Sequence, residues 1–313
     1  MGKLAFVFPG QGSQVVGMGK ALAEAFPEAR AVFAAADDAL GESLSTLCFE
    51  GPEEALKLTA NTQPAILAVS VAADAVLRAR GIRPDYVAGH SLGEYSALVS
   101  AGALTLQDAV RAVRARGTFM QEAVPAGVGA MAAVLGLEPE TVKAACEAAA
   151  EGLVVSPANY NSPEQTVIAG NAEAVARAEV KLKEAGAKRV VPLPVSAPFH
   201  CALMEPVKPR LAEVLARAHL SAPAVPVVAN VDAKANAEAA RVVPLLLEQV
   251  SAPVRWIECV QELQRLGVTR LVEVGPGKVL SGLGRRISRD LELFNVEDPA
   301  SLDKALQGLG GGA

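Results

Sequence analysis

Short apolar runs alternate with longer helical patterns along much of the chain. Runs of this kind, bounded by loop residues, predict buried strands. They lie at 4–8 (LAFVF), 86–90 (YVAGH), 225–230 (VPVVAN) and 270–275 (RLVEVG). A helix is predicted over about residues 15–25, and further helical patterns lie between the later strands. Strands that alternate with helices in this way predict an α/β fold with a parallel sheet.

The middle of the chain follows a different order. It predicts strands at 129–137, 153–160, 166–170 and 189–195, and helices at 138–150 and 172–185. Strand, helix, strand, strand, helix, strand is the order of a ferredoxin-like unit. We therefore expect a subdomain of residues 126–195 inserted into a discontinuous large domain of residues 1–125 and 196–313, with a ligand cleft between them. The last residues, 308–313 (GLGGGA), are expected to form a disordered tail.

Composition narrows the possible classes of protein. The chain has 313 residues, 51% of them hydrophobic, and a formal net charge of −5. A large core is therefore available, and the charge gives no indication of a nucleic-acid partner. The four cysteines form no C-x-x-C pair and the N-terminus has no secretory signal, so we expect reduced thiols in a cytoplasmic protein. Polar residues interrupt the longest uncharged stretches, so no membrane span is expected.

The segment GHSLGE at 89–94 has two interpretations. Ser91 and Glu94 fit a capping box at the start of a helix. Gly89, Ser91 and Gly93 fit G-x-S-x-G, the sharp turn that presents a nucleophilic serine. The segment follows a predicted strand and opens a predicted helix, which is the setting that such a turn needs. The helix N-terminus would also offer backbone N–H groups to an oxyanion.

A nucleophilic serine needs a base, and the chain has three histidines. His90 adjoins Ser91 at the end of a strand, so its side chain is expected on the other face. His219 lies near the end of a predicted helix, where an imidazole suits the negative end of the dipole. His200, in a loop 109 residues beyond Ser91, is the candidate base that remains by elimination.

Arg116 is the most informative charged residue. In the predicted helix 106–121 it falls on the apolar stripe, whereas Arg111 and Arg114 are expected to face solvent. A guanidinium on a buried face needs an anion. That anion is either an internal Asp or Glu or a carboxylate of the substrate, and the sequence leaves both open.

Several segments together resemble a known family. In chain order they are PGQGSQ, TQPAI (62–66), GHSLGEYSAL, the Arg116 helix, ANYNSP, APFH and EVGPGKVL. Their order is similar to that in the malonyl-CoA:acyl carrier protein transacylases, the acyltransferases of fatty acid synthesis, over about residues 4–290. The resemblance implies an α/β-hydrolase-like core with an inserted ferredoxin-like subdomain.

The resemblance also implies roles for individual residues. Ser91 would be the acylated nucleophile and His200 its base, with the backbone carbonyl of Gln249 orienting the imidazole in place of an acidic side chain. The backbone N–H groups of Gln11 and Leu92 would form the oxyanion hole.

Three further residues would bind the substrate. Arg116 would hold the malonyl carboxylate, and Phe199, which resembles the malonyl-preferring version of the family, and Met120 would complete the substrate site. Ala197 and Pro198 stand where residues vary within the family, which leaves fine selectivity open.

The implied reaction needs no metal and no cofactor. Its substrates would be malonyl-CoA and the phosphopantetheine thiol of an acyl carrier protein, and we expect a monomer that needs neither nucleic acid nor membrane. Because carrier proteins are usually acidic, docking needs a local basic patch on this acidic chain. Two sets of residues are candidates: Lys181, Lys183, Lys188 and Arg189, or Arg285, Arg286 and Arg289.

Three alternatives stay open. A serine esterase on an α/β-hydrolase fold usually has its histidine late in the chain and an HGGG loop, whereas here 113 residues follow His200 and no HGGG occurs. In a non-catalytic interaction domain, Ser91 would be a helix cap and Arg116 part of an internal ion pair. An acyltransferase of a polyketide pathway would use the same residues as the enzyme of fatty acid synthesis.

Overall fold

The computed structural model describes residues 2–125, 127–195 and 197–310. The strands are β1 Lys3–Phe8, β2 Tyr86–Gly89, β3 Gly129–Leu135, β4 Val155–Ser162, β5 Gln165–Asn171, β6 Arg189–Pro192, β7 Val227–Val228, β8 Ala235–Asn236, β9 Val268–Val274 and β10 Glu292–Val296. The helices are α1 Lys20–Ala25, α2 Pro27–Leu40, α3 Leu44–Glu50, α4 Glu53–Lys57, α5 Thr59–Ala79, α6 Gly93–Ser100, α7 Leu106–Glu122, α8 Pro139–Ala150, α9 Ala172–Glu184, α10 Val207–Leu215, α11 Ala239–Gln249, α12 Trp256–Arg265, α13 Val279–Ile287 and α14 Pro299–Leu309.

A six-stranded sheet in the order β10-β9-β1-β2-β7-β8 forms the centre of the large unit. Its first five strands are parallel, and β8 pairs antiparallel with β7. Strand β1 is central and buried on both faces, which explains why its sequence is continuously apolar. The predicted α/β fold with a parallel sheet is therefore confirmed.

Two predicted elements are shorter than expected. The helix predicted over about 15–25 begins only at Lys20, because Gly17 and Gly19 have φ values of +97° and +78° and form a turn. The strand predicted at 225–230 is reduced to Val227–Val228. Asn230 lies beyond its end and is fully buried in the site described below.

A second sheet, in the order β4-β5-β3-β6, is antiparallel throughout. Its elements follow the predicted order of strand, helix, strand, strand, helix, strand. Side chains alternate along β3: Ala132 and Val134 pack with α8 and α9, whereas Met131 and Ala133 join the main core. The predicted boundary residues 126 and 196, and residues 311–313 of the predicted tail, lie outside the described residues.

Helix α5 runs through the main core. By length and composition it could cross a membrane, contrary to the expectation from its polar interruptions, but 83% of its apolar window is buried inside the protein. The core helix of a soluble protein meets the same criteria, so this feature is weak evidence for a membrane span.

The carboxyl ends of β1, β2 and β7 meet at one edge of the parallel sheet. The loops that leave them carry Gln11, Ser91 and Asn230. This edge is where open α/β sheets place their ligand sites.

Candidate active site

Ser91 occupies a sharp turn between β2 and α6. Its φ of +51° is rare for a residue with a side chain and indicates local strain. A Cβ on Gly89 would lie 1.9 Å from the Gly93 carbonyl, and one on Gly93 would lie 2.1 Å from the Phe8 oxygen. Both glycines are therefore needed for the close packing of helix on strand. The predicted strand, turn and helix are all present.

The capping-box interpretation of Ser91 and Glu94 is wrong. Helix α6 begins at Gly93 with Leu92 as its N-cap and has no side-chain cap. The Ser91 hydroxyl instead lies 2.7 Å from His200 Nε2, and the Glu94 carboxylate points into the protein interior.

His200 lies in the loop between β6 and α10, where its φ is +59°. Its Nδ1 lies 2.9 Å from the backbone oxygen of Gln249. Because a carbonyl only accepts, Nδ1 carries the hydrogen, and the lone pair of Nε2 is left to face the Ser91 hydroxyl. Burial, reinforced by the Arg116 charge, lowers the pKa of His200 to about 3, so the ring is neutral at pH 7.

The other two histidines lie apart from Ser91 Oγ. The His90 ring bonds to Asn161 Oδ1 at 2.8 Å and packs near Trp256, and burial lowers its pKa. His219 is 89% exposed and lies 3.3 Å from Asp108. It follows the end of α10 by four residues, so it pairs with a carboxylate and is not part of the helix terminus.

Arg116 is buried, with only 1% of its surface exposed. Its Nη1 donates to Gln63 Oε1 at 2.8 Å, and its Nη2 donates to Gln249 Oε1 at 2.9 Å and to Ser91 Oγ at 3.1 Å. Within the described residues these acceptors are all neutral, and Nε has no partner. The alternative of a direct internal ion pair is therefore not observed there.

The prediction for Arg114, two residues earlier, is wrong. Its side chain was expected to face solvent, but it is only 22% exposed and bonds to the Ala60 carbonyl, Asn61 and Glu42. Arg111 is 54% exposed, as expected for the outer face of the helix.

The side chains of Ser91, His200 and Arg116 share one cavity, which spans about 550 Å³ including its open mouth. Seven of the eight predicted site residues line it, and the Gln249 side chain lies behind the serine. The complete lining is Gln11, Gln63, His90, Ser91, Leu92, Arg116, Met120, Met131, Asn159, Leu193, Val195, Phe199 and His200.

Gln11 and Leu92, whose backbone N–H groups are the predicted oxyanion donors, line the cavity from two different loops. Neither N–H group donates a hydrogen bond to an acceptor in the part of the chain that the structure describes. Backbone donors that are free in this way are the kind of group that stabilises the oxyanion of acyl transfer. Over those same residues, no group of three or more His, Cys, Asp or Glu side chains is arranged to hold a metal.

Comparison with known proteins identifies the family. The model of the acyl transferase domain matches residues 5–295. The chain belongs to the acyl transferase domain family.

Its relatives in this family have consistent names. The chain is 52% identical over 307 residues to a malonyl CoA-acyl carrier protein transacylase of Salmonella typhimurium, covering 98% of this chain and 99% of that one. It is 50% identical over 310 residues to a protein of the same name from Bacillus subtilis, covering 99% and 98%.

Solved structures agree with this. An acyl carrier protein S-malonyltransferase from Vibrio cholerae is 52% identical, with a TM-score of 0.95 and coverage of 97% of this chain and 99% of that one. A malonyl-transacylase in complex with a type II PKS acyl-carrier protein is 50% identical, also with a TM-score of 0.95, and covers 98% and 99%.

Sequence reasoning missed two polar residues of this acyl transferase site. Gln63 accepts from Arg116, and Asn230 accepts from the Ser91 backbone N–H at 2.8 Å while donating to the Gly89 oxygen at 2.7 Å. The sequence contains an indication of each of these two residues. Gln63 lies within TQPAI, and Asn230 is the last residue of a predicted strand, where polar residues collect at the ligand edge of a parallel sheet.

Proposed function

We propose that this acyltransferase transfers a malonyl group from malonyl-CoA to the phosphopantetheine thiol of an acyl carrier protein, through a malonyl ester on Ser91, in fatty acid biosynthesis. The names of relatives about 50% identical over the full chain support this substrate and acceptor.

The observation that carries the proposal is the state of Arg116. A fully buried guanidinium is costly unless an anion balances it. Here it bonds to neutral oxygens, one of them the nucleophile itself, and its Nε faces no acceptor among the described residues. A malonyl group attached at Ser91 carries its free carboxylate one short carbon chain away, within reach of that cation. An acetyl group offers no such anion.

The first half-reaction follows from the hydrogen-bond pattern. His200 Nε2 accepts the Ser91 proton while Nδ1 remains bonded to the Gln249 oxygen. Ser91 Oγ attacks the thioester carbonyl, and the Gln11 and Leu92 N–H groups receive the resulting oxyanion. The thiolate of CoA then leaves and takes the proton from His200, so that the malonyl ester remains.

The second half-reaction reverses these proton movements. His200 takes the proton of the carrier thiol, the thiolate attacks the ester, and Ser91 recovers its proton as it leaves. Met131, Leu193 and Val195 place apolar walls on the cavity opposite the main sheet. These walls leave room for a narrow arm and limit the access of water.

A basic groove supports a docking site for the carrier. Lys188, from the segment before β6, lines it together with Arg285, Arg286 and Arg289, from α13 and the loop after it. The groove spans about 1620 Å³ including its open mouth. All four side chains are exposed. The two sets proposed from sequence thus meet in part in one groove, whereas Lys181, Lys183 and Arg189 do not line it. An acidic carrier fits this surface although the whole chain is acidic.

The fold and location belong to the same proposal. We take the parallel sheet with its serine turn as an α/β-hydrolase-like catalytic domain, and the second sheet with α8 and α9 as a ferredoxin-like subdomain of about residues 126–195. The order β4-β5-β3-β6 supports the second assignment. The same proposal includes a soluble, cytoplasmic, monomeric enzyme that works without metal or cofactor.

A polyketide pathway is the second candidate. The transacylase in complex with a type II PKS acyl-carrier protein favours it, because that enzyme is as similar to this chain as the Bacillus subtilis transacylase, each being 50% identical. The chemistry at Ser91 is the same in both pathways, and the identity of the carrier distinguishes them.

The proposal is tested from one preformed acyl-enzyme. The malonyl enzyme is isolated and then divided between buffer and buffer with a micromolar concentration of holo carrier protein. We expect transfer to the carrier to be much faster than release of malonate. Hydrolysis as fast as transfer would contradict the proposal and indicate an esterase.

A further inference from the structure

Glu94 is a buried carboxylate directly beneath the nucleophile. It lies in the first turn of α6, three residues after Ser91, and is 2% exposed. Its Oε2 accepts from the Asn230 backbone N–H at 3.0 Å and from Gln249 Nε2 at 2.8 Å. The reaction described above assigns no role to this residue.

The two donors to Glu94 between them contact the Ser91 backbone, the Arg116 guanidinium and the His200 ring. Asn230 Oδ1 accepts from the Ser91 N–H at 2.8 Å. Gln249 Nε2 also donates to the Ser91 backbone oxygen at 3.0 Å, its Oε1 accepts from Arg116, and its backbone oxygen accepts from His200. The Glu94 carboxylate is thus one hydrogen bond away from Gln249, which holds both Arg116 and His200.

The charged groups at the two ends of the Gln249 side-chain amide, Glu94 and Arg116, fix its direction. A carboxylate only accepts hydrogen bonds, so the NH₂ end must face Glu94. A guanidinium only donates, so the oxygen end must face Arg116. A neutral amide at position 94 could present either a donor or an acceptor, and the Gln249 side chain would lose one of the two groups that set its orientation.

We propose that Glu94 is a positioning residue of the acyl transfer site: its carboxylate orients the Gln249 amide, which in turn positions the Arg116 guanidinium and the His200 imidazole. This inference rests on the proposed function, since it concerns how the malonyl group and the base are placed.

The charged surroundings are consistent with this arrangement. Burial raises the pKa of Glu94 to about 7, while Arg116 on α7 and the bonds from Asn230 and Gln249 oppose that rise. Asp232, Tyr95 and Cys259 also face it. Gln249 lies between Glu94 and Arg116, so the carboxylate lies near the cation without forming an ion pair with it.

The test substitutes Glu94→Gln, which keeps the shape and removes the charge. Rates of adduct formation on Ser91 are measured by intact mass with malonyl-CoA and with acetyl-CoA at about pH 8, where Glu94 is ionised. We expect the malonyl-to-acetyl ratio of kcat/KM to fall by about tenfold, because Arg116 loses its orienting acceptor. Both acylation rates should also fall, because His200 shifts with Gln249.

Glu273→Gln is the matched control. Glu273 is also fully buried and also accepts backbone N–H bonds, from Leu280 and Ser281, but it is a residue of β9 whose side chain lies at the N-terminus of α13, and none of its hydrogen bonds within the described residues reaches the site. We expect it to lose stability without a change in the ratio. A merely structural role for Glu94 would lower the active fraction for both substrates and leave the ratio unchanged.

The outcomes are distinct. A wild-type ratio in folded Glu94→Gln overturns the inference, whatever its stability. If that variant does not fold, Glu94→Asp, which keeps the charge but withdraws the carboxylate from Gln249, must lower the ratio, and a wild-type ratio there overturns it. Absence of any malonyl adduct on the wild-type enzyme is a different result and contradicts the proposed function.

Discussion

Replacement of Arg116 by Ala should change which acyl group the enzyme accepts. The guanidinium is buried, its Nη2 lies 3.1 Å from the nucleophilic oxygen, and Nε has no partner among the described residues. A malonyl carboxylate would therefore meet a cation that has donors available and has already lost its hydration. Removing one partner of such a buried charged contact costs about 2–5 kcal/mol, or roughly 30-fold to several thousandfold in relative acylation.

The assay compares the initial rates of Ser91 acylation by malonyl-CoA and by acetyl-CoA in the same variant. The ratio cancels changes in the active fraction, and it also cancels losses at His200 that both substrates share. Malonyl transfer should fall by the full factor. Acetyl transfer should fall less, because the acetyl group never used the cation.

Arg114→Ala is the matched control on the same helix. Its side chain bonds to the Ala60 carbonyl, Asn61 and Glu42, and it does not line the cavity. We expect its ratio to equal that of the wild type. An unchanged ratio in Arg116→Ala, or an equal fall in Arg114→Ala, would refute the assignment of Arg116 as the carboxylate site.

Three further predictions concern the base, the serine turn and the carrier. His200→Ala should slow acylation by a factor on the order of 10² to 10⁴, whereas exposed His219→Ala should not change it; near wild-type rates in His200→Ala would exclude it as the base. Gly93→Ala should lower the free energy of unfolding by about 1–3 kcal/mol or prevent folding, because its Cβ would meet the Phe8 oxygen at 2.1 Å. The control Gly282→Ala, in open space within α13, should raise that free energy by up to about 1 kcal/mol. Equal effects of the two substitutions in urea unfolding would count against the close packing described for the turn. The double substitution Arg286→Glu and Arg289→Glu should slow transfer to the carrier about tenfold and weaken the salt dependence of that transfer. The control, Lys181→Glu with Lys183→Glu, makes an equal change in charge outside the groove and should leave transfer unchanged. Equal slowing by both double substitutions would argue against docking in the groove.

The parts of this fold that depend on local sequence were predictable. Continuous apolar runs such as LAFVF indicated strands buried on both faces, and the glycines at 89 and 93 indicated the turn between β2 and α6. The position of Arg116 on the helical wheel was also correct, because burial within one helix follows from its period. In each case the decisive information lies within about 15 neighbouring residues.

The errors arise where distant segments meet. Glu94 looked like a helix cap because the spacing S-x-x-E is local, yet its partners Asn230 and Gln249 lie 136 and 155 residues away. Arg114 was expected in solvent because a helical wheel does not show that α5 and the Glu42 loop cover that face. Sequence spacing also could not show that Lys188 and Arg286 line one groove, because they belong to separate sheets and helices.

The central claim is that Ser91 carries the malonyl group, and intact mass after incubation with malonyl-CoA tests it most directly. We predict that the wild-type enzyme gains the mass of one malonyl group, that peptide mapping assigns it to Ser91, and that folded Ser91→Ala gains none. An adduct of the same mass on Ser91→Ala, or no adduct on a wild-type enzyme that still loads the carrier, would contradict this account.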